Sequence, residues 1–251
     1  MQQAEIIKIG SEHLRRQRPR TMGSLYWQLN DCWPVASWAS IDYYGRWKAL
    51  QYYTRRFYDD LLISPFLHDD KVDVYVVSHK LQPLSGTIHT RLLDFSGNVL
   101  LDQTKDIQIP AQSNAIYLTL NKADLAAKAD LHGSFLVFDL HLQRTNTSPT
   151  QKLYRNLIFF DAMHSLDLPV MPKIETTITK TGADYTITLQ SSKLARGVHI
   201  SFGDVDVETS DNYFDLLPGE SASITLKSAA TIDQLKSALK VMSLTEAYAA
   251  N

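Results

Sequence analysis

The spacing of apolar residues changes near residue 61, and the first part of the chain has mainly helical spacing. Residues 3–18 place Ile6, Ile9 and His13 on one face of a predicted helix that Pro19 ends. Arginines cluster at its C-terminal end, where cations suit the helix dipole. We interpret this cluster as a solvated helix end; its members are Arg15, Arg16, Arg18 and Arg20.

Two further elements are predicted before residue 61. Residues 22–30 have the pattern of a short buried strand, and residues 46–60 that of a second helix. In this helix the apolar residues recur at three- and four-residue steps, which places Trp47, Leu50, Tyr53 and Phe57 on one face. One strand between two helices cannot close a sheet, so this region has the pattern of the end of a larger α/β domain.

From residue 61 the pattern becomes that of β-strands separated by turns, and it predicts a β-sandwich over residues 61–166. A Ser-Gly-Asn turn within residues 95–99 indicates a hairpin. A short helical stretch at 121–131 interrupts the pattern. The predicted strands lie within residues 72–82, 86–109, 115–120, 134–143 and 156–163.

A second set of strands follows a proline-containing segment at 166–175 and predicts a smaller sandwich over residues 167–251. Its clearest strand alternates, with Tyr185, Ile187 and Leu189 directed inward. Residues 231–244 predict a short helix, alone or followed by a last strand. The fold class is therefore mainly β.

Charge and composition exclude several partner classes. The chain of 251 residues has a net charge of −2 and no apolar run of the ~20 residues that a membrane span needs, so we expect neither a nucleic-acid nor a membrane partner. The single cysteine, Cys32, excludes an internal disulfide, and we expect it to be a packed small side chain. The eight histidines show no HxH or HExxH spacing, so we predict no metal site and no cofactor.

All four tryptophans lie between residues 23 and 53. The stretch LYWQLNDCWPVASWASIDYYGRWKALQYYTRRF resembles the last barrel strand and last helix of β-mannosidases of the family 2 glycoside hydrolases, with WQLND-x-WP as its most specific part. SDNYFDLLPGE at 210–220 is similar to a stretch of their terminal immunoglobulin-like domain. The resemblance implies two immunoglobulin-like β-sandwich domains, preceded over residues 1–60 by a helix–strand–helix remnant of the (β/α)8 catalytic barrel.

The resemblance also implies a sugar site. Barrel active sites lie at the C-terminal ends of the strands, which places Trp27 at the mannoside pocket and makes Asn30 and Trp33 further candidates for its wall. For Trp38 and Trp47 we favour core packing. Two aspartates have structural interpretations: we expect Asp31 to brace the loop after the strand and Asp42 to cap the following helix.

The chain lacks the family's two catalytic glutamates, since no glutamate lies between Glu12 and Glu175 and neither of these stands in a matching motif. A retaining glycosidase needs a nucleophile and an acid/base. We therefore predict no catalytic residue in this chain and an inactive fragment. The parent implied by the resemblance is an exo-acting β-mannosidase that releases terminal β-mannosyl units by double displacement.

Two alternative functions stay open at this point. The parent could have a sibling specificity, as an exo-β-glucosaminidase or β-galactosidase. The chain could instead be a non-catalytic sandwich module that binds carbohydrate or a protein partner, with Tyr213 and Phe214 as candidate exposed contact residues. We also expect a rearranged barrel remnant that packs on the first sandwich or pairs across a homodimer, because an orphaned strand is prone to association. The sequence is compatible with a periplasmic, secreted or lysosomal parent.

Overall fold

A computed structural model describes residues 1–143 and 152–249. The helices are α1 (Gln2–Arg16), α2 (Ala49–Phe57), α3 (Lys122–Ala126), α4 (Ile232–Ala238) and α5 (Leu244–Ala249). The strands are β1 (Leu61–His68), β2 (Lys71–Ser78), β3 (Leu84–Asp94), β4 (Val99–Ile109), β5 (Asn114–Asn121), β6 (Ser134–Leu142), β7 (Leu153–Phe159), β8 (Glu175–Thr181), β9 (Asp184–Gln190), β10 (Ala195–Ser201), β11 (Glu208–Thr209), β12 (Phe214–Leu216), β13 (Ser221–Lys227) and β14 (Lys240–Met242).

The chain forms two compact units. Residues 2–94 and 98–166 form the N-terminal unit, and residues 1, 95–97 and 167–251 form the C-terminal unit. None of the helices within the described ranges has the length and apolar character needed to cross a membrane. The strands outnumber the helices and pair in antiparallel sheets, which confirms the predicted mainly β fold.

The N-terminal unit is built around a sandwich of a three-stranded sheet, β1–β2–β5, and a four-stranded sheet, β4–β3–β6–β7. Alternating residues of both sheets fill one core, because successive side chains of a strand point to opposite faces. Leu125 of α3 also reaches this core, so the predicted helical insert is part of the sandwich. The buried core residues include Ile63, Val72, Val74, Val76, Ile88, Leu92, Leu136, Phe138 and Leu140.

A buried ion-pair cluster lies on the four-stranded sheet. Asp139 of β6 accepts hydrogen bonds from Arg91 of β3 at 2.8 Å and from the Nε and Nη2 atoms of Arg155 of β7 at 2.6 and 2.8 Å. Burial by itself raises the pKa of Asp139, but the hydrogen bonds and charges of Arg155 and Arg91 outweigh burial and hold this pKa below its usual value.

This lowered pKa predicts an acid-dependent stability. A carboxyl group whose pKa is depressed in the folded state stabilises that state above its unfolded pKa of about 3.9, and this contribution is lost as the pH falls through the folded pKa. Asp139→Asn should therefore lower the free energy of unfolding at pH 7, and the difference from the parent chain should shrink below pH ~4. Urea denaturation between pH 3 and pH 7 measures it, with exposed Asp70→Asn as the control. A difference that is constant over this range would contradict the assignment.

Helix α1 packs against α2 with a polar face, which the spacing of its apolar residues does not indicate. Ile6, Ile9 and His13, predicted to share a face, are exposed. Arg15 and Arg16 are buried, so the prediction of a solvated arginine cluster is wrong for these two residues. The reason is tertiary: β1, β7 and α2 supply hydrogen-bond acceptors and partners for this face, as in the 2.5 Å bond from Arg15 Nη1 to the Phe57 carbonyl oxygen.

At the centre of this polar face lies Glu12, which is buried. Its carboxylate accepts hydrogen bonds from Ser64 Oγ of β1 at 2.7 Å and from Asn156 Nδ2 of β7 at 3.0 and 3.2 Å. Arg16 donates to the same Ser64 hydroxyl at 2.6 Å and lies 3.8 Å from Glu12. Lys8 lies 3.3 Å from Glu12 at the more exposed edge. These contacts join the helical region to both sheets of the sandwich.

Residues 22–30, all of which the structure describes, do not form the predicted strand. Their pairing is limited to a single parallel bridge between Asn30 and Ile41, and Ile41 also bridges to Trp47. A strand needs neighbours that pair along its length, and the residues around this segment supply one bridge partner only. The second helix is confirmed, but it is shorter than predicted, at Ala49–Phe57 instead of 46–60.

The C-terminal unit is a smaller sandwich, with sheets β11–β13–β9–β8 and β12–β10–β14. The alternation of β9 is confirmed, because Tyr185, Ile187 and Leu189 are buried in the core while the threonines between them are partly exposed. Helix α4 begins with a capping box between Thr231 and Gln234 and inserts Leu235 into the same core. The helix followed by a strand that residues 231–244 allow is present as α4 and β14.

Candidate functional site

The tryptophan-rich segment 22–48 lies on the surface of the N-terminal unit. The exposed fractions are 76% for Trp27, 65% for Trp33, 60% for Trp38 and 39% for Trp47. The expectation that Trp38 and Trp47 pack in the core is therefore wrong for both residues, although Trp47 is the least exposed of the four. Three indoles thus present much of their surface outward within one short segment.

A polar cluster holds the first part of this segment against α2. The Tyr26 hydroxyl lies 2.9 Å from Ser40 Oγ and 3.4 Å from Gln51 Oε1. The Ser40 hydroxyl hydrogen-bonds with Gln51 Oε1 and with the Leu29 carbonyl oxygen, both at 2.8 Å. Because Tyr26 and Leu29 flank Trp27 and Gln28, these contacts fix the backbone on both sides of the exposed Trp27 indole.

A second cluster braces the loop that carries Trp33. Asp31 is buried, its carboxylate accepts a 2.5 Å hydrogen bond from Ser37 Oγ, and Lys48 Nζ lies 3.3 Å from its other oxygen. The Asp31 N–H donates to the Ile41 carbonyl oxygen at 3.1 Å. The predicted bracing role of Asp31 is confirmed, and it closes the loop from 31 to 37 around Trp33. Cys32 in this loop is exposed, so its predicted packing is wrong.

Asn30 stands at the junction of the two clusters. Its backbone bridges to Ile41, and its side-chain amide donates to the Asp31 carbonyl oxygen at 3.3 Å. Gln28 donates to the Asn30 carbonyl oxygen at 2.9 Å. The three predicted pocket residues therefore lie on one braced segment, with Trp27 and Trp33 three residues before and after Asn30.

Asp42 does not cap the helix, which contradicts the prediction. It closes the turn at 42–46, where its Oδ1 accepts from the N–H groups of Tyr44 and Arg46 at 2.9 Å and its Oδ2 accepts from Arg46 Nε at 2.7 Å. Partial burial raises the pKa of Asp42, but the bonds from Arg46 and Tyr44 lower it further, so its pKa lies below the usual value. The helix starts after Lys48, several residues later, and is out of reach of this turn.

The chemistry of the segment suits binding more than bond cleavage. Its two carboxylates, Asp31 and Asp42, are both committed to local hydrogen bonds, and the segment contains no glutamate. Flat indole faces and nearby amides are the groups that contact sugar C–H bonds and hydroxyls. Tyr26, Ser40, Gln51 and Lys48, which position this surface, are separated along the chain, so no motif in the sequence indicates their joint role.

Comparison with known proteins assigns both sandwiches. Residues 70–163 match the family described as a mannosidase Ig/CBM-like domain, and residues 170–247 match the Ig-fold domain of mannosidases. A crystal structure of the β-D-mannosidase from Dictyoglomus thermophilum superposes on 96% of the chain with a TM-score of 0.79 and 29% identity. The chain belongs to the β-mannosidase type of family 2 glycoside hydrolases.

The chain corresponds to the C-terminal portion of such an enzyme. Beta-mannosidase A of Neosartorya fischeri is 29% identical over 236 residues, which cover 89% of this chain and 25% of that protein. The chain thus spans about a quarter of the length of this β-mannosidase and 28% of the Dictyoglomus chain. The exo-chitosanase CsxA of Amycolatopsis orientalis, with a TM-score of 0.62 and 19% identity over 96% of the chain, shares the fold.

The tryptophan-rich segment is part of this likeness. The two matched domains begin at residue 70, but the Dictyoglomus β-mannosidase superposes on all but about ten residues of the chain, so most of residues 1–60 have a counterpart there. The mannosidase likeness therefore includes the braced surface as well as the two sandwiches.

Proposed function

We propose that this chain is the C-terminal portion of an exo-acting, retaining β-mannosidase, and that Trp27, Asn30 and Trp33 form part of the wall of its mannoside site. The observation that carries the proposal is the braced segment 22–48, which holds exposed indoles in a chain of the β-mannosidase family. Exposed apolar surface is unfavourable in water, and a protein surface that keeps large apolar side chains exposed is commonly a binding site.

The physical reason for a sugar ligand is the fit between an indole and a pyranose ring. The ring presents a flat face of polarised C–H bonds, which the negative face of an indole attracts, and its hydroxyls need hydrogen-bond partners. Gln28 and Asn30, one and three residues after Trp27, carry side-chain amides that are candidates for such partners. Bracing by Ser40 and by Asp31 keeps this arrangement in place before the ligand binds, which lowers the entropic cost of binding.

The catalytic carboxylates belong to the remainder of the parent protein under this proposal. Double displacement requires two carboxyl groups about 5–5.5 Å apart, and the segment offers only Asp31 and Asp42, both held in structural hydrogen bonds. No residue of this chain is therefore assigned a catalytic role. The isolated chain is expected to bind sugar weakly at most and to hydrolyse none.

Hydrolysis of p-nitrophenyl β-mannoside by the isolated chain and by the full-length parent tests the proposal. We expect turnover by the parent and none above background by the chain. Turnover by the chain alone would overturn the assignment of catalysis to the remainder of the parent. Turnover by the parent on a β-galactoside or β-glucosaminide, but not on the mannoside, would replace the proposed specificity with that of a sibling enzyme.

We further propose that the exposed tryptophan-rich segment 22–48 drives self-association when the chain is isolated. Leu25 is fully exposed, and it lies two residues from Trp27 in a segment with several other exposed apolar side chains. Sedimentation velocity over a range of concentrations should show a dimer that Leu25→Ser weakens. Leu81→Ser, at an exposed leucine outside this segment, is the matched control and should leave the dimer unchanged. A monomer at every concentration would rule out the homodimer.

A further inference from the structure

Two histidines and an aspartate meet on the four-stranded sheet of the N-terminal unit. His89 of β3 stands directly opposite Asp139 of β6, and His141 lies two residues further along β6. One potential ligand atom from each of the three side chains lies within 4.8 Å of the other two. His89 and His141 are far apart in the sequence, so a search for HxH or HExxH spacing cannot find this cluster. The sequence-based prediction of no metal site depends on such spacing and does not apply to ligands from different strands.

We propose that His89, Asp139 and His141 bind a divalent transition-metal ion of the zinc type. Two imidazoles and one carboxylate form a donor set that Zn²⁺ and Co²⁺ accept. Mg²⁺ and Ca²⁺ prefer sites made almost entirely of oxygen ligands, and this cluster offers them one carboxylate. The three side chains come from adjacent strands of a sheet, whose hydrogen bonds hold their backbones in register.

An outer carboxylate orients one of the imidazoles. His89 Nε2 lies 2.8 Å from Asp102 Oδ1 of β4. When Nε2–H donates to Asp102, Nδ1 becomes the unprotonated nitrogen and can coordinate a metal. Metal-binding histidines commonly donate their other ring N–H to a carboxylate in this way, which fixes the tautomer and the ring orientation.

The two arginines on Asp139 set the charge and the remaining coordination capacity. Arg155 donates to both oxygens of Asp139, and Arg91 donates to Oδ2. These three hydrogen bonds occupy three of the about four lone-pair positions of a carboxylate and leave one on Oδ1. The charges of Asp139 and Asp102 offset those of the two arginines, so a cation meets a site of roughly zero net charge when both histidines are neutral.

Binding requires a small movement of side chains. Ligand atoms about 2.1 Å from a tetrahedral zinc ion lie about 3.4 Å from one another. The three atoms lie within 4.8 Å in the structure, and the partly exposed histidine rings can close such a gap by rotation. Because Asp139 is buried and held by two arginines, the histidines are the ligands that move.

Titration of the isolated chain with Co²⁺ and Zn²⁺ tests the inference and needs neither the parent enzyme nor a mannoside. We expect one equivalent of Co²⁺ to give the visible absorption of a low-symmetry site, and Zn²⁺ to displace it. His89→Ala and His141→Ala should each weaken Zn²⁺ binding at least tenfold in isothermal titration calorimetry. His132→Ala, which removes an exposed histidine near Asp161 outside the cluster, is the matched control and should bind as the unchanged chain does.

A second measurement keeps the test independent of variant folding. Nitrogen-edited NMR of the histidine rings in the unchanged chain should show Zn²⁺ shifting the His89 and His141 signals together, with Mg²⁺ and Ca²⁺ without effect. Absence of saturable Zn²⁺ binding up to millimolar concentration would overturn the inference. So would shifts confined to other histidines, which would show adventitious surface binding only.

Discussion

Replacement of Glu12 with alanine is expected to lower the free energy of unfolding of the N-terminal unit by about 3 kcal/mol. The carboxylate is buried and receives hydrogen bonds from Ser64 and Asn156, with Arg16 3.8 Å away. Its removal leaves the buried guanidinium and amide groups with fewer partners, in a place that water reaches poorly. The expected loss of stability therefore comes mainly from the buried guanidinium and amide groups that are left with fewer hydrogen-bond partners.

Tryptophan fluorescence during urea denaturation measures this effect on one unit, because all four tryptophans lie in the N-terminal unit. His13→Ala, one residue further along α1 at an exposed position, is the control and should change stability by less than about 0.5 kcal/mol. Glu12→Gln keeps the shape and one acceptor oxygen, and we expect an intermediate loss. Equal stabilities for Glu12→Ala and His13→Ala would show that the buried network contributes little.

In the full-length parent, replacement of the tryptophan corresponding to Trp27 with alanine is expected to reduce kcat/KM for a β-mannoside roughly 30-fold. The estimate follows from the contact area that an indole face offers a sugar ring, at about 2 kcal/mol. Phenylalanine at this position keeps a smaller flat face and should give a smaller loss. Initial rates with p-nitrophenyl β-mannoside at several concentrations separate the effects on kcat and KM.

The matched control is alanine at the position of Trp38, an equally large side chain of the same segment that is also exposed and that the resemblance does not place in the pocket. We expect it to change kcat/KM less than threefold. Similar losses for both variants would indicate a general disturbance of the segment and would argue against a specific place for Trp27 in the mannoside wall.

Elements whose burial follows from their own spacing could be predicted from the sequence. Strand β9 shows this. A sandwich buries one face of each strand, and the alternation in β9 assigns Tyr185, Ile187 and Leu189 to the buried face. Helix α2 shows it in part: Leu50, Tyr53 and Phe57 are buried on its predicted face, whereas Trp47, predicted on the same face, precedes the helix and is exposed. The specific string WQLND-x-WP indicated the β-mannosidase family, which the comparisons with known proteins bear out.

Elements that depend on distant partners could not be predicted in this way. The apolar residues Ile6 and Ile9 of α1 are exposed while Glu12 and Arg16 are buried, because Ser64 and Asn156 offer them hydrogen bonds. A periodicity argument ranks side chains by polarity and carries no information on partners 48 or more residues away. The candidate pocket residues Trp27, Asn30 and Trp33 remain predictions, whereas the contacts that hold their segment became visible only in the structure.

The sequence by itself determined the two sandwiches, the tryptophan-rich segment and the absence of a glutamate between Glu12 and Glu175, because these depend on local alternation and on residue identity. The tertiary structure decided that residues 22–30 form no strand, that α1 buries its charged face, and that His89 and His141 meet beside Asp139. The physical reason is the same in each case. Strand pairing, the burial of a charge and a metal-ligand set all require partners brought together from distant parts of the chain, and only the fold supplies those partners.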